Sequence, residues 1–400
     1  MKNTITYYPV DNGDQSLIEI YEDSYTTQIM VDCNLRESAV GSANPSQYDV
    51  KADLEKRLKK RTVNGITNCL FADVFILTHG DDDHLHGFEK NFFQGDPKNF
   101  KQANKDNKEI VIDVLWFSPM VMGTAGNEDE RCFNKEAKRR IKLHREKSPE
   151  RDLPGNRIII IGKDANENLS GLDLVRKVPG EIVTRFNNRN LKKFSIFIHS
   201  PYQEHLNDED VDKNRVSVVF QARFKADEYT NNFINLTMFG GDSDHVAWAT
   251  ILEKTKRYKN DTKEKALQWD LLLACHHCSW SFFNNTPYDS NKTPVATSGE
   301  VLRNRRENAK VIASCKEILR ADSNPPHYAA KDQYVAHVGV SNFLNTATHK
   351  KIGGTPQPII FEITANGLII PKLIEGSAVV AGNSVNSPIK QPSTYGSGTV

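Results

Sequence analysis

The chain has 400 residues, 38% apolar and 26% charged, which allows a large core beneath a wet surface. Its 52 basic and 51 acidic residues leave a formal charge of +1, so it is no global polycation built for nucleic acid. Six scattered cysteines exclude a disulfide scaffold, no apolar run approaches the ~20 residues of a membrane span, and the opening residues hold no secretory core. A cytoplasmic setting without membrane contact is expected.

In chain order, "SLIEIYE" (16–22) and "TTQIMVDC" (26–33) alternate about a short polar turn and predict a strand pair. Residues 50–69 carry a charged helical pattern with a stop signal at Asn64-Gly65. "ADVFILT" (72–78), "VIDVLWFS" (111–118) and "RIIIIG" (157–162) are continuous apolar runs, as in strands buried on both faces. The segment 123–155 between the last two is dense in charge. It predicts a polar helix, either solvated or serving as a lid or substrate clamp, because "KRRIKLHR" (138–145) concentrates positive charge that can meet phosphates. Strands follow at 194–200, 216–224, 233–241, 269–277 and 309–315, a helix at 245–258, and a hairpin about Asn366-Gly367. From Glu375 the composition turns to Gly, Ser, Asn, Pro and Thr, as in an unstructured tail. The pattern predicts two packed sheets with helices outside, an α/β (α+β) arrangement in one large domain over 1–373, an insertion near 123–155 and a tail over 374–400.

Three predicted strands end in potential metal ligands. "THGDDDHLHG" (78–87) places His79, Asp81, Asp83 and His84 on a tight loop, where imidazole and carboxylate together suit a divalent metal. Asp82 is the odd carboxylate and is expected to be exposed, with His86 turned away. "FGGDSDH" (239–245) ends a strand at Asp242, and Asp244 is the better-placed cap for the following helix. "LLLACHHCSW" (271–280) offers His276 and His277. Its cysteines lack the second Cys-x-x-Cys that a structural zinc site needs and are read as buried thiols.

These stretches, in this order, resemble the metallo-β-lactamase-fold hydrolases, and within them the ComEC-type competence hydrolase domain and its soluble relatives. That branch replaces the second His of His-x-His-x-Asp-His with Asp, as Asp81 does here. "NGDQSLIEI", "IMVDCN", "NRVSVVFQARF", "FGGD", "LLLACHHCS", "VIASC" and "SNPPH" are similar to its remaining motifs, over roughly residues 5–330. Cys278 stands where the branch has glycine, as do Asn12 and Asn34. His199 and His205 are candidates for an extra ligand, and the membrane channel of the competence protein has no counterpart.

The resemblance implies a four-layer αββα sandwich holding two divalent metal ions, zinc or manganese. His79, Asp81 and Asp242 would hold one. Asp83, His84, Asp242 and either His276 or His277 would hold the other, with Asp242 bridging. It implies a phosphodiesterase or nuclease that uses a metal-bridged hydroxide, with Asp83, His277 and His327 as catalytic residues and His327 contacting a phosphate or protonating the leaving oxygen. Basic stretches at 138–145, 254–265 and 302–306 favour nucleic acid as substrate. A small diester, with Trp116, Trp280, Phe282 and Phe283 lining its pocket, and a non-enzymatic interaction module using 123–155 are the alternatives.

Overall fold

The computed structural model describes residues 2–37, 47–163, 169–206, 212–230, 232–258, 262–365 and 367–370. The predicted tail from Glu375 and Asn366 of the last hairpin lie outside them. The chain is a mixed α/β structure with two large sheets. The first holds β1 (Asn3–Tyr7), β2 (Ser16–Glu22), β3 (Tyr25–Val31), β4 (Lys59–Val63), β5 (Ile66–Ile76), β6 (Val111–Phe117), β7 (Arg157–Ile161) and β8 (Arg176–Lys177). The second holds β9 (Ile182–Val183) and, after the small hairpin β10 (Arg185–Phe186) and β11 (Arg189–Asn190), β12 (Phe194–Ile198), β13 (Phe220–Lys225), β14 (Phe233–Phe239), β15 (Trp269–Leu273), β16 (Arg305–Ala313) and β17 (Phe343–Asn345). A hairpin of β18 (Lys351–Ile352) and β19 (Thr355–Pro356) leads to β20 (Ile359–Thr364) and β21 (Gly367–Ile369). These last two return to the first sheet, where β20 pairs with β1.

Strands β3, β5, β6, β7 and β8 run parallel, as do β14, β15, β16 and β17. Residues on alternate sides of each strand serve two different cores. Ile18, Ile29, Val74 and Trp116 from the first sheet meet Ile196, Phe220, Leu271 and Ile312 from the second. On the outer face of the first sheet, Met30, Phe75 and Leu115 pack with residues of α1 (Val50–Arg57), α3 (Phe88–Asn91) and α5 (Glu128–Arg145). The short α2 (Asp82–Leu85) precedes α3, and α4 (Gln102–Asp106) lies between α3 and β6. On the outer face of the second sheet, Met238, Leu272 and Val311 pack with Trp248 and Ile251 of α7 (His245–Lys256), Val301 of α9 (Ala296–Arg303) and Tyr334 of α10 (Tyr328–Val338). The small α6 (Gln203–Leu206) and α8 (Thr262–Leu267) flank α7. Each fully buried Phe, Leu or Ile contributes roughly 1.5–3 kcal/mol, so three continuous clusters hold the strand ends firmly.

Two local readings change. The helix expected to end at Asn64-Gly65 stops at Arg57; Asn64-Gly65 instead turns the β4–β5 hairpin, both residues at positive φ. Asn-Gly suits such a turn better than a helix end when β-branched residues flank it, as Thr62, Val63, Ile66 and Thr67 do. The charged helix α5 is also less solvated than its composition suggests. Phe133, Ala137 and Ile141 enter the core, and Glu136 and Arg140 are buried as an ion pair at 2.7 Å. Among the described residues, no helix is long and apolar enough to cross a membrane.

Candidate metal centre

The C-terminal ends of β3, β5, β14 and β15 meet at one edge of the two sheets, the place where parallel strands leave room for a ligand. The register Val31↔Ile76 sets Asp32 beside Thr78, whose amide and hydroxyl donate to its two oxygens at 2.7 Å each. Val218 N donates to Thr78 O and ties the β5 loop to the second sheet. Gly241, at φ +50, lets the chain turn after β14, and its carbonyl accepts from His276 N. The β1–β2 loop crosses above. Asp14 N donates to Asp83 O, and a Cβ on Gly13 would lie 1.7 Å from Asn34 Nδ2. Asn34 and Asn12 are used for stitching: Asn34 Nδ2 donates to Val10 O and Asn12 O, and Asn12 Nδ2 to Pro325 O.

Asp242 is buried at the centre, and its two oxygens face different histidines. Oδ2 lies 3.4 Å from His79 Nε2 and 3.5 Å from His276 Nε2. Oδ1 lies 2.9 Å from His84 Nε2 and 3.6 Å from His277 Nε2. Asp83 Oδ2 stands 3.1 Å from His277 Nε2, and Asp83 Oδ1 4.0 Å from His84 Nε2. Asp81 is more open; it reaches His79 Nε2 at 3.8 Å and Lys213 Nζ at 3.4 Å. Two sets of atoms that could share a cation emerge: His79, Asp83, His84 and Asp242, and Asp14, His84, Asp242 and His277.

The outer nitrogens explain why the Nε2 atoms point inward. His84 Nδ1 lies 2.8 Å from Asp32 Oδ2, a carboxylate that can only accept, so Nδ1 carries the proton. Thr78 spends its hydroxyl proton on Asp32, so its oxygen accepts from His79 Nδ1 at 3.2 Å. Bare Nε2 atoms then face carboxylate oxygens, and His84 Nε2 and His277 Nε2 sit 3.0 Å apart. Lone pairs in that arrangement repel unless a proton or a cation lies among them. His79 Nε2, His277 Nδ1, Asp14 Oδ1 and Asp242 Oδ1 are buried without a hydrogen-bond partner. The donor set therefore fits a divalent metal of intermediate hardness.

The electrostatics agree. Burial disfavours the imidazolium of His84, but Asp242 and Asp32 outweigh it and hold the pKa well above the ordinary value. Burial acts likewise on His277, where Asp242, Asp14 and Asp83 push the pKa up to about 10. Burial alone would raise Asp242 and Asp83; the surrounding histidines instead hold both well below the carboxylate range. The cluster demands positive charge, from protons or from metal.

The remaining predicted residues divide clearly. Asp244 caps α7, accepting from Val246 N and Ala247 N, which leaves Asp242 free. Asp82 and His86 pair at the surface at 3.1 Å. Cys275 and Cys278 are buried thiols. His327 is not among the converging residues: its Nδ1 accepts from Ala329 N as the cap of α10, and its ring packs against Tyr288 and Tyr328. His199 lies buried against Phe197, and His205 Nε2 lies 3.2 Å from Thr250 Oγ1. Trp116, Trp280, Phe282 and Phe283 are buried core residues. Within the three charged stretches, Arg139 and Arg140 pair with Glu136, Lys254 with Glu204, Arg257 with Glu253 and Arg306 with Asp270.

Asp14 and Asp32 belong to the centre and were not singled out in the sequence. Both lie within quoted motifs, "NGDQSLIEI" and "IMVDCN", at strand ends. Comparison of the chain with protein-family models and with curated proteins gives no match.

Proposed function

We propose that this chain is a metal-dependent phosphodiesterase of the metallo-β-lactamase fold, with two divalent cations, zinc or manganese, and nucleic acid as its first candidate substrate. The observation that carries this reading is the division of Asp242 between two sets of inward Nε2 atoms. His79 and His276, with Asp81 in reach, face one carboxylate oxygen; His84, His277 and Asp83 face the other. The helix–sheet–sheet–helix order and the position of the centre at the sheet edge are consistent with the fold.

A bound metal pair supplies an activated water at neutral pH and polarises the phosphoryl oxygen. The chain's own residues position and balance charge. Asp242 and Asp83 offset the cations, while Asp32 and Thr78 orient His84 and His79. Lys213, half-exposed at the rim and paired with Asp81 and Glu130, suits a substrate phosphate.

The test is hydrolysis of labelled single-stranded DNA and of an aryl phosphodiester with Mn²⁺, wild type beside Asp83→Asn. Activity in the wild type that the variant loses supports the reading, and the ratio of the two rates ranks polymer against small diester. No activity of the wild type on either substrate points instead to a narrow small-molecule substrate or a non-enzymatic module, and activity that the variant keeps counts against the role of Asp83.

A further inference from the structure

Beyond the ligands themselves, a row of hydroxyls runs outward from His276 to an exposed loop. His276 Nδ1 lies 3.0 Å from Ser281 Oγ. Ser281 Oγ donates to Ser279 Oγ at 2.9 Å, and Ser279 Oγ donates to Asn324 Oδ1 at 2.9 Å. Trp280 N also donates to that Asn324 atom, at 2.8 Å.

Counting protons fixes the direction of the row. The amide of Trp280 can only donate, so the Asn324 atom facing it is the carbonyl oxygen and not the amide nitrogen. An oxygen there can only accept, so Ser279 spends its one hydroxyl proton on Asn324. Ser279 Oγ is then an acceptor, and it takes both the hydroxyl proton and the amide proton of Ser281, the latter at 3.1 Å. Ser281 has no proton left to give. Its oxygen must accept from His276, which puts the imidazole proton on Nδ1 and leaves Nε2 bare, 3.5 Å from Asp242 Oδ2.

We propose that Asn324, Ser279 and Ser281 are positioning residues that lock His276 in the Nδ1–H tautomer and so present its Nε2 as a metal ligand. The consequence for the metal rests on the function proposed above; the tautomer does not. The lock matters here because the backbone gives little help. His276, His277 and Cys278 all lie in the left-handed region, at φ +50, +51 and +68, a conformation costly for residues other than glycine. His276 also lacks the buried carboxylate that holds His84. A neutral hydroxyl row therefore does for His276 what Asp32 does for His84.

The experiment uses full-length, metal-free protein with ¹⁵N-labelled histidine. Long-range ¹H–¹⁵N correlation spectra are recorded for wild type, Ser281→Ala and Ser281→Thr, with His276→Gln to assign the signal. Wild type and Ser281→Thr are expected to show a protonated Nδ1 and a bare Nε2 at His276; Ser281→Ala is expected to populate both tautomers. A Zn²⁺ titration against a chelator is expected to show affinity falling about 10- to 100-fold in Ser281→Ala and recovering in Ser281→Thr. Far-UV circular dichroism checks that each variant is folded. A wild-type His276 protonated on Nε2, or an Ser281→Ala spectrum identical to wild type, overturns the lock. A wild type with the expected tautomer that binds no metal supports the lock and overturns the metal centre, so the two failures are distinguishable.

Discussion

His84 Nε2 lies 2.9 Å from Asp242 Oδ1, although Asp32 already takes the proton of His84 Nδ1. A neutral His84 thus turns a lone pair toward a carboxylate, and the contact is stable only with a proton or a metal between them. In metal-free protein at pH 8, His277 holds its proton, because its pKa stands at about 10, and His84 is raised in the same direction. Metal binding must displace those protons. Calorimetric titration with Zn²⁺ in buffers of different ionisation enthalpy is expected to report release of at least one proton per chain. Binding without proton release contradicts this account of the charge balance.

Asp14 and Asp82 make a matched pair of tests. Asp14 is buried, 3.6 Å from His277 Nδ1, while Asp82 is exposed beside His86. Asp14→Asn is expected to weaken metal binding about 10- to 100-fold, the usual effect of removing an outer partner of a ligand. Asp82→Asn is expected to leave affinity unchanged. Chelator competition measures both.

Glu136 is a stability residue with a definite pH signature. Burial would raise its pKa, but Arg140 and Arg139 outweigh burial and lower it from 4.5. A depressed carboxylate contributes stability above its unfolded pKa and loses it as pH falls through the folded value. Glu136→Gln is expected to cost roughly 3–5 kcal/mol near pH 7, because it strands the buried Arg140. Urea unfolding should show the gap narrowing as pH falls below 4.5. A gap that is constant down to pH 3 counts against the pair.

Cys278 sits at φ +68 where the resembled motif has glycine, and its side chain is buried. Cys278→Gly loses packing but relieves a left-handed residue worth about 1–2 kcal/mol. The two effects offset, and the variant is expected within about 1 kcal/mol of wild type by the same balance. Cys278→Val, β-branched in a conformation that suits such residues least, is expected to lose more in thermal unfolding.

Much of this was legible because the informative residues sit at the ends of strands whose apolar runs are unmistakable. "ADVFILT" leads to His79, "FINLTMFGG" to Asp242 and "WDLLLAC" to His276. The cap role of Asp244 followed from its position alone. What was not legible depends on contacts across long sequence separations. Asp14 and Asp32 join the centre only once β1, β2, β3 and β5 are in register. Glu136 and Arg140 look like any i,i+4 surface pair until α5 lies on the sheet. His327 was expected as a proton donor or phosphate contact; its Nδ1 accepts from Ala329 N as the cap of α10, a local contact that the motif around it does not announce. At 50–69 the charge pattern of a helix prevailed over the Asn-Gly turn, because the partner for β4 was the segment read as strand only from Ala72 onward.

The most direct measurement is metal content. Wild type and Asp242→Asn, reconstituted with Mn²⁺ or Zn²⁺ and dialysed, are analysed by inductively coupled plasma mass spectrometry. The account predicts close to two equivalents per chain in the wild type, as a dinuclear site requires, and a loss of at least one in the variant, since the two oxygens of Asp242 face different histidines. Wild type that retains no metal, or a variant that retains as much as wild type, contradicts it.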